Sequence, residues 1–121
     1  MNRKVLIVDD EPLVRRSLRR ALETNSFQVI EAEDGRVGLD LWKKESPDIV
    51  FLDVLMPGLT GPQVLSEIDA SLRQTSKVIL ISAYTGEYNL DSAKSLGADH
   101  FISKPFEDIF AIVKLVSEMV S

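Results

Sequence analysis

The chain has no cysteine, so it can build neither a disulfide framework nor a thiolate metal site, which suits the cytosol. Histidine is almost as scarce. His100 stands alone, with no partner at ligand spacing, and reads as a surface residue rather than a metal ligand or phosphate carrier. Neither G-x-G-x-x-G nor G-x-x-x-x-G-K-[ST] occurs, which argues against nucleotide binding through either loop. Long apolar runs are missing as well. The amino terminus offers only Val5 to Val8 after Arg3 and Lys4, too short for a signal peptide or a membrane span. Basic residues are the minority, with 14 Lys and Arg against 19 Asp and Glu and a net charge of −5. That balance predicts no nucleic-acid partner and suits a site that gathers a cation, while the short apolar runs predict no membrane partner.

What is present is the composition of one ordinary globular domain. The 121 residues are 45% hydrophobic and 27% charged, enough to bury a core without staples, and are read as a single domain over residues 1–121. Val5 to Val8 is a fully apolar run ending in Asp9, Asp10 and Glu11. Pro12 then opens a helix carrying Leu13, Val14, Ser17, Leu18, Ala21 and Leu22. Phe27 to Ala32 reads as a weaker strand. Gly35 to Lys44 reads as a helix burying Val37, Leu39 or Leu41, and Trp42. Ile49 to Asp53 is an apolar strand stopped by Met56, Pro57 and Gly58. One helix through Val64, Leu65, Ile68 and Leu72 follows, then a strand Val78 to Ile81 leading into Ser82 and Ala83. Thr85 to Leu96 is predicted helical and closed by Gly97, Ala98 to Ser103 a fifth strand, and Phe106 to Val120 a last helix.

Strand and helix alternate five times, which predicts a doubly wound α/β fold with a five-stranded parallel sheet and five helices. In such sheets ligands sit beyond the carboxyl ends of the strands. Those ends carry Asp9 and Asp10 on the first strand, Asp53 on the third, Ser82 on the fourth and Lys104 after the fifth. Three crowded carboxylates need a compensating charge, and a hard cation such as Mg²⁺ prefers oxygen ligands. Asp10 and Asp53 are candidate direct ligands, and Asp9 a direct or water-mediated one. With Lys104 as a second positive charge and Ser82 as a hydroxyl donor, the rim describes a phosphoryl cradle in which Asp53 becomes an aspartyl phosphate.

VLIVDDEP (Val5–Pro12), FLDVLMPGLTG (Phe51–Gly61), VILISA (Val78–Ala83) and GADHFISKPF (Gly97–Phe106) together resemble a bacterial response-regulator receiver domain along the whole chain. The resemblance implies a flavodoxin-like strand order 2-1-3-4-5, as in the chemotaxis regulator. It implies that Asp53 takes its phosphoryl group from a phosphohistidine on a sensor histidine kinase. Asp9, Asp10 and the backbone carbonyl of Leu55 would hold Mg²⁺ beside Asp53. Lys104, with a cis Lys104–Pro105 bond, would contact the phosphoryl group. Ser82 takes the place of the switch hydroxyl and Phe101 that of the switch aromatic. Their movement would repack the face of the fourth helix, fifth strand and fifth helix, the surface expected to carry a homodimer or effector contact.

Leu55, two residues beyond Asp53, and Tyr84, two beyond Ser82, stand where relatives often carry polar groups, and predict a shielded, long-lived phosphate. Arg15, Arg16, Arg19 and Arg20 form a basic stripe, read either as a solvated face or as a kinase-docking surface. In the last helix, Ile109, Ile112, Val113, Val116 and Val120 are predicted to face the sheet, with Phe110 and Leu115 on either side. The competing class is an aspartate-nucleophile, Mg²⁺-dependent phosphatase of the haloacid-dehalogenase type. That motif needs a second acid where Leu55 stands, and the chain leaves no room for a cap domain. A non-phosphorylated scaffold is a third reading, opposed by the intact set Asp10, Asp53, Ser82 and Lys104. The expected role is therefore a cytoplasmic phosphoacceptor that assists its own phosphotransfer and dephosphorylation rather than an enzyme acting on a separate substrate. With no effector domain after Ser121, a stand-alone regulator and a receiver from a longer protein stay open as alternatives.

Overall fold

The computed structural model describes residues 3–83 and 89–120. Five strands form one parallel sheet, β1 (Lys4–Val8), β2 (Gln28–Ala32), β3 (Ile49–Asp53), β4 (Lys77–Ser82) and β5 (His100–Ser103), in the order β2-β1-β3-β4-β5. The helices between and after them are α1 (Pro12–Thr24), α2 (Gly35–Glu45), α3 (Gly61–Glu67), α4 (Ala70–Thr75), α5 (Leu90–Ser95) and α6 (Ile109–Met119). Among the described residues no helix is long and apolar enough to cross a membrane.

The apolar strands divide their side chains between two cores because successive residues point to opposite faces. Leu6, Val8, Val50, Leu52, Val78 and Leu80 pack with Leu39 and Trp42 of α2 and Val64 of α3. Val5, Ile7, Phe51, Ile79 and Ile81 pack on the other face with Leu18 and Leu22 of α1 and Ile112, Val113 and Val116 of α6. Both faces of the central strands are thus dry, as unbroken runs of valine, leucine and isoleucine require. Each such side chain contributes about 1.5–3 kcal/mol.

Three departures from the predicted elements have local causes. The single helix expected from Val64 to Leu72 is two, so the described residues hold six helices rather than five. Ile68 closes α3 with extended backbone, and the Asp69 carboxylate accepts from the Leu72 amide to cap α4 afresh. The last helix starts three residues later than expected, because the Asp108 carboxylate accepts from Phe110 and Ala111 and leaves Phe106 outside. Val37, expected in the core, is exposed; α2 instead buries Gly35, Gly38, Leu39 and Trp42. The expected helix from Thr85 begins outside the described residues. Its end is as read, with Gly97 at φ +98°, a conformation that disfavours other side chains.

Candidate functional site

The sheet reverses its order of connection between β1 and β3, and both strands lead there into carboxylates, β3 at its last residue and β1 just past it. Asp53 is the last residue of β3, aligned with Ile81, which places Ser82 of β4 one residue further along the same rim. Asp9 follows β1, and its amide donates to the Ala32 carbonyl at 3.1 Å. Gly61 keeps the start of α3 close to this rim. A Cβ there would stand 2.6 Å from the Asp53 carbonyl oxygen, so only glycine fits.

Asp9 and Asp53 are buried, at 0% and 3% exposure, while Asp10 and Glu11 face solvent. One carboxylate oxygen from each of these four acids lies within 4.8 Å of the others. Among the described residues, one side-chain cation meets three of them. Lys104 Nζ donates to Asp9 Oδ2 at 3.1 Å, Asp53 Oδ2 at 3.2 Å and Glu11 Oε1 at 2.7 Å. Its backbone is fixed from two sides, by donation from its amide to the Ser82 carbonyl at 2.9 Å and by the cis peptide bond to Pro105.

The electrostatics follow from four anions facing one ammonium. Burial, and then the charge of Asp9, push the Asp53 carboxyl up to about 7 despite Lys104. Burial also raises Asp9, against the opposing Glu11 amide and Lys104. For Lys104, burial alone would favour the neutral amine. Hydrogen bonds to Glu11 and Asp9 outweigh it, hold the proton and raise the pKa. The rim is short of positive charge. An all-oxygen donor set of this kind fits a hard divalent cation such as Mg²⁺ better than a softer metal.

Asp9, Asp10, Asp53, Ser82 and Lys104 all stand on this rim, as the sequence predicts. Leu55 lies in the loop just beyond Asp53 and is 47% exposed. Phe101 is half-buried on β5, aligned with Leu80 and packed against the core on the α2 side. Tyr84 lies outside the described residues. The basic stripe divides: Arg15 and Arg19 turn to Glu31 of β2, while Arg16 and Arg20 are exposed. Two residues of the site were missed. Glu11 takes the shortest Lys104 contact, and Arg15 donates to the Asp9 carbonyl at 2.6 Å. The acidic turn held a signal for Glu11; nothing local pointed to Arg15.

The sequence matches the family model of the response regulator receiver domain over residues 5–116. The chain belongs to this family. It is 35% identical over 107 residues to the sporulation initiation phosphotransferase F of Bacillus subtilis, covering 88% of this chain and 86% of that one. It is 36% identical to the response regulator MprA of Mycolicibacterium vanbaalenii over 96% of this chain. There it spans 48% of the relative, as it does for the response regulator GtcR of Aneurinibacillus migulanus, about half of these longer proteins. Among solved structures, the chemotaxis protein CheY4 of Vibrio cholerae superposes with a TM-score of 0.86 at 26% identity, covering 98% of this chain and 99% of that one. The receiver domain of the Francisella response regulator 1452 gives 0.84 at 28% identity, with 98% and 97% covered. The receiver is thus a signalling-switch domain of the two-component response regulators.

Proposed function

We propose that this receiver is switched by reversible phosphorylation of Asp53, with a sensor histidine kinase as donor and Mg²⁺ as the required cation. The observation that carries the reading is Lys104 Nζ within 3.2 Å of a buried Asp53 carboxylate in a pocket with excess negative charge. An Asp53 oxygen forms a bond to phosphorus as the phosphorus–nitrogen bond of the phosphohistidine breaks, and the imidazole leaves. Lys104 is already placed to donate to the oxygens of the incoming group, and the Ser82 hydroxyl to a further one. Asp9, Asp10, Asp53 and the Leu55 carbonyl would hold Mg²⁺, which supplies charge neutralisation to the phosphoryl oxygens.

Output is assigned to the face of α5, β5 and α6, through Ser82 and Phe101, as a dimer or effector contact. Leu115 belongs to that side, beside Ile102 and Ala111, whereas Phe110 opens toward α1 instead. The groove between α1 and the start of α6, lined by Leu13, Val14, Phe106 and Phe110 and flanked by Arg20, suits a kinase helix. Since Arg15 and Arg19 are engaged with Glu31, Arg16 and Arg20 are the docking cations. Neutralising both slows transfer from the kinase and leaves transfer from acetyl phosphate unchanged. Leu55→Asn, which admits a polar group beside Asp53, speeds loss of the phosphate. A cytoplasmic location follows from this role.

Incubation with acetyl phosphate and Mg²⁺ tests the core of the proposal. Hydroxylamine-sensitive phosphoryl incorporation is expected in the wild type, and none in Asp53→Asn. Sustained release of phosphate from many substrate equivalents would favour the phosphatase reading, and no incorporation the scaffold reading.

A further inference from the structure

We propose that Arg15, clamped by Glu31, is a positioning residue for the cation-binding acids: it fixes the peptide plane between Asp9 and Asp10 and so sets the direction from which Asp10 approaches the metal. The inference rests on the Mg²⁺ reading above.

Regular pairing of β1 with β2 ends at Val8 and Ala32. One residue later, the Asp9 carbonyl accepts from Arg15 Nη1 at 2.6 Å. A side chain thus completes backbone pairing at the point where the sheet stops. The same guanidinium donates through Nε to Glu31 Oε1 at 3.0 Å, and the other Glu31 oxygen accepts from Arg19 Nη1 at 2.7 Å. Glu31 sits on β2 opposite Ile7, so the clamp is anchored to the sheet and not only to α1. The Arg15 side chain is 15% exposed, largely out of competition with water. A planar fork that serves two acceptors in fixed directions is a property of arginine, not lysine.

Asp9 is immobilised through its amide, its carbonyl and its side chain, the last by the Glu11 amide at 2.8 Å. Asp10 differs. It is exposed and its carboxylate makes no hydrogen bond or ion pair among the described residues, so only its backbone aims it. Arg15 holds the peptide that precedes it. Groups that orient ligands from behind commonly alter metal affinity by about 10–100-fold.

Charge gives the test a direction. Removing a cation near a cation site should, by electrostatics alone, tighten Mg²⁺ binding; removing a positioning residue weakens it. Mg²⁺ is titrated calorimetrically into metal-free wild type, Arg15→Gln and Arg15→Lys, with thermal melting to confirm folding at the titration temperature. We expect Arg15→Gln to bind about tenfold more weakly. Arg15→Lys, which keeps the charge and loses the fork, should weaken binding less but in the same direction. It also serves if the glutamine variant does not fold. Unchanged or tighter binding in a folded variant, beside normal wild-type binding, overturns this proposal alone. A wild type that binds no Mg²⁺ overturns it together with the reading on which it rests.

Discussion

The two ends of the sheet handle polar groups in opposite ways. At the amino end, buried or half-buried polar groups have donors of their own. Asp48 accepts from the Lys4 amide at 2.9 Å, and Asp99 accepts from the Val78 amide at 2.8 Å and from Arg73 at 3.3 Å. Beneath them the Trp42 indole donates to Ser76 Oγ at 2.9 Å, and that hydroxyl donates to the Pro47 carbonyl at 2.6 Å. At the carboxyl end four acids crowd together, three of them share Lys104, and two are buried. One end is arranged for stability. The other keeps an excess of negative charge that costs stability in the absence of a cation.

Substitutions at the two ends should therefore differ in sign as well as size. Trp42→Ala, which empties a fully buried site, should cost about 3–5 kcal/mol in denaturant unfolding. Ser76→Ala leaves the indole N–H without its acceptor and should cost about 1–3 kcal/mol by the same measurement. At the rim, Asp53→Asn should instead stabilise the metal-free protein at neutral pH, by about 1–2 kcal/mol. Lys104 keeps Asp9 and Glu11 as partners in that variant.

The pH dependence of that gain sharpens the contrast. Folding raises the Asp53 carboxyl to about 7 from its ordinary 3.8, so the penalty of its charge is fully present above the higher value. As pH falls through that window the folded protein takes up the proton and the penalty fades. The stability gap between Asp53→Asn and wild type should be widest above neutrality and close on acidification, as followed by melting in metal-free buffer. The smallest effect is expected for Glu31→Gln. Its ion pairs with Arg15 and Arg19 are partly exposed, and its loss should cost no more than about 1 kcal/mol. Glu31 lies below its ordinary carboxylate range: burial opposes its charge, but the two arginines outweigh it. Its contribution is therefore present at neutral pH and lost on acidification, the reverse of Asp53.

Much of this was legible in the residues. Runs such as VLIV, IVFL and VILI, each closed by an acid or a hydroxyl, mark buried parallel strands and put their polar ends on one rim. The spacing of those ends gave Asp9, Asp10, Asp53, Ser82 and Lys104. What escaped depends on competition or on distance in sequence. Asp69 breaks an otherwise continuous helical pattern because its carboxylate caps a second helix better than it continues the first. Phe110 reads as a neighbour of the output face, yet the turn set by Asp108 directs it toward α1. Arg15 looked like one member of a surface stripe. Its role depends on Glu31, sixteen residues away on another strand, and on where the sheet stops pairing.

The central claim is that the surplus of carboxylates at the carboxyl end is completed by a divalent cation with Asp53 among its ligands. Its most direct test is thermal unfolding of wild type and Asp53→Asn with and without Mg²⁺, against KCl at matched ionic strength. At about a hundredfold excess over its dissociation constant, Mg²⁺ should stabilise the wild type by about 2.7 kcal/mol and Asp53→Asn far less. Stabilisation no greater than that of KCl, or equal in the two proteins, would contradict the account.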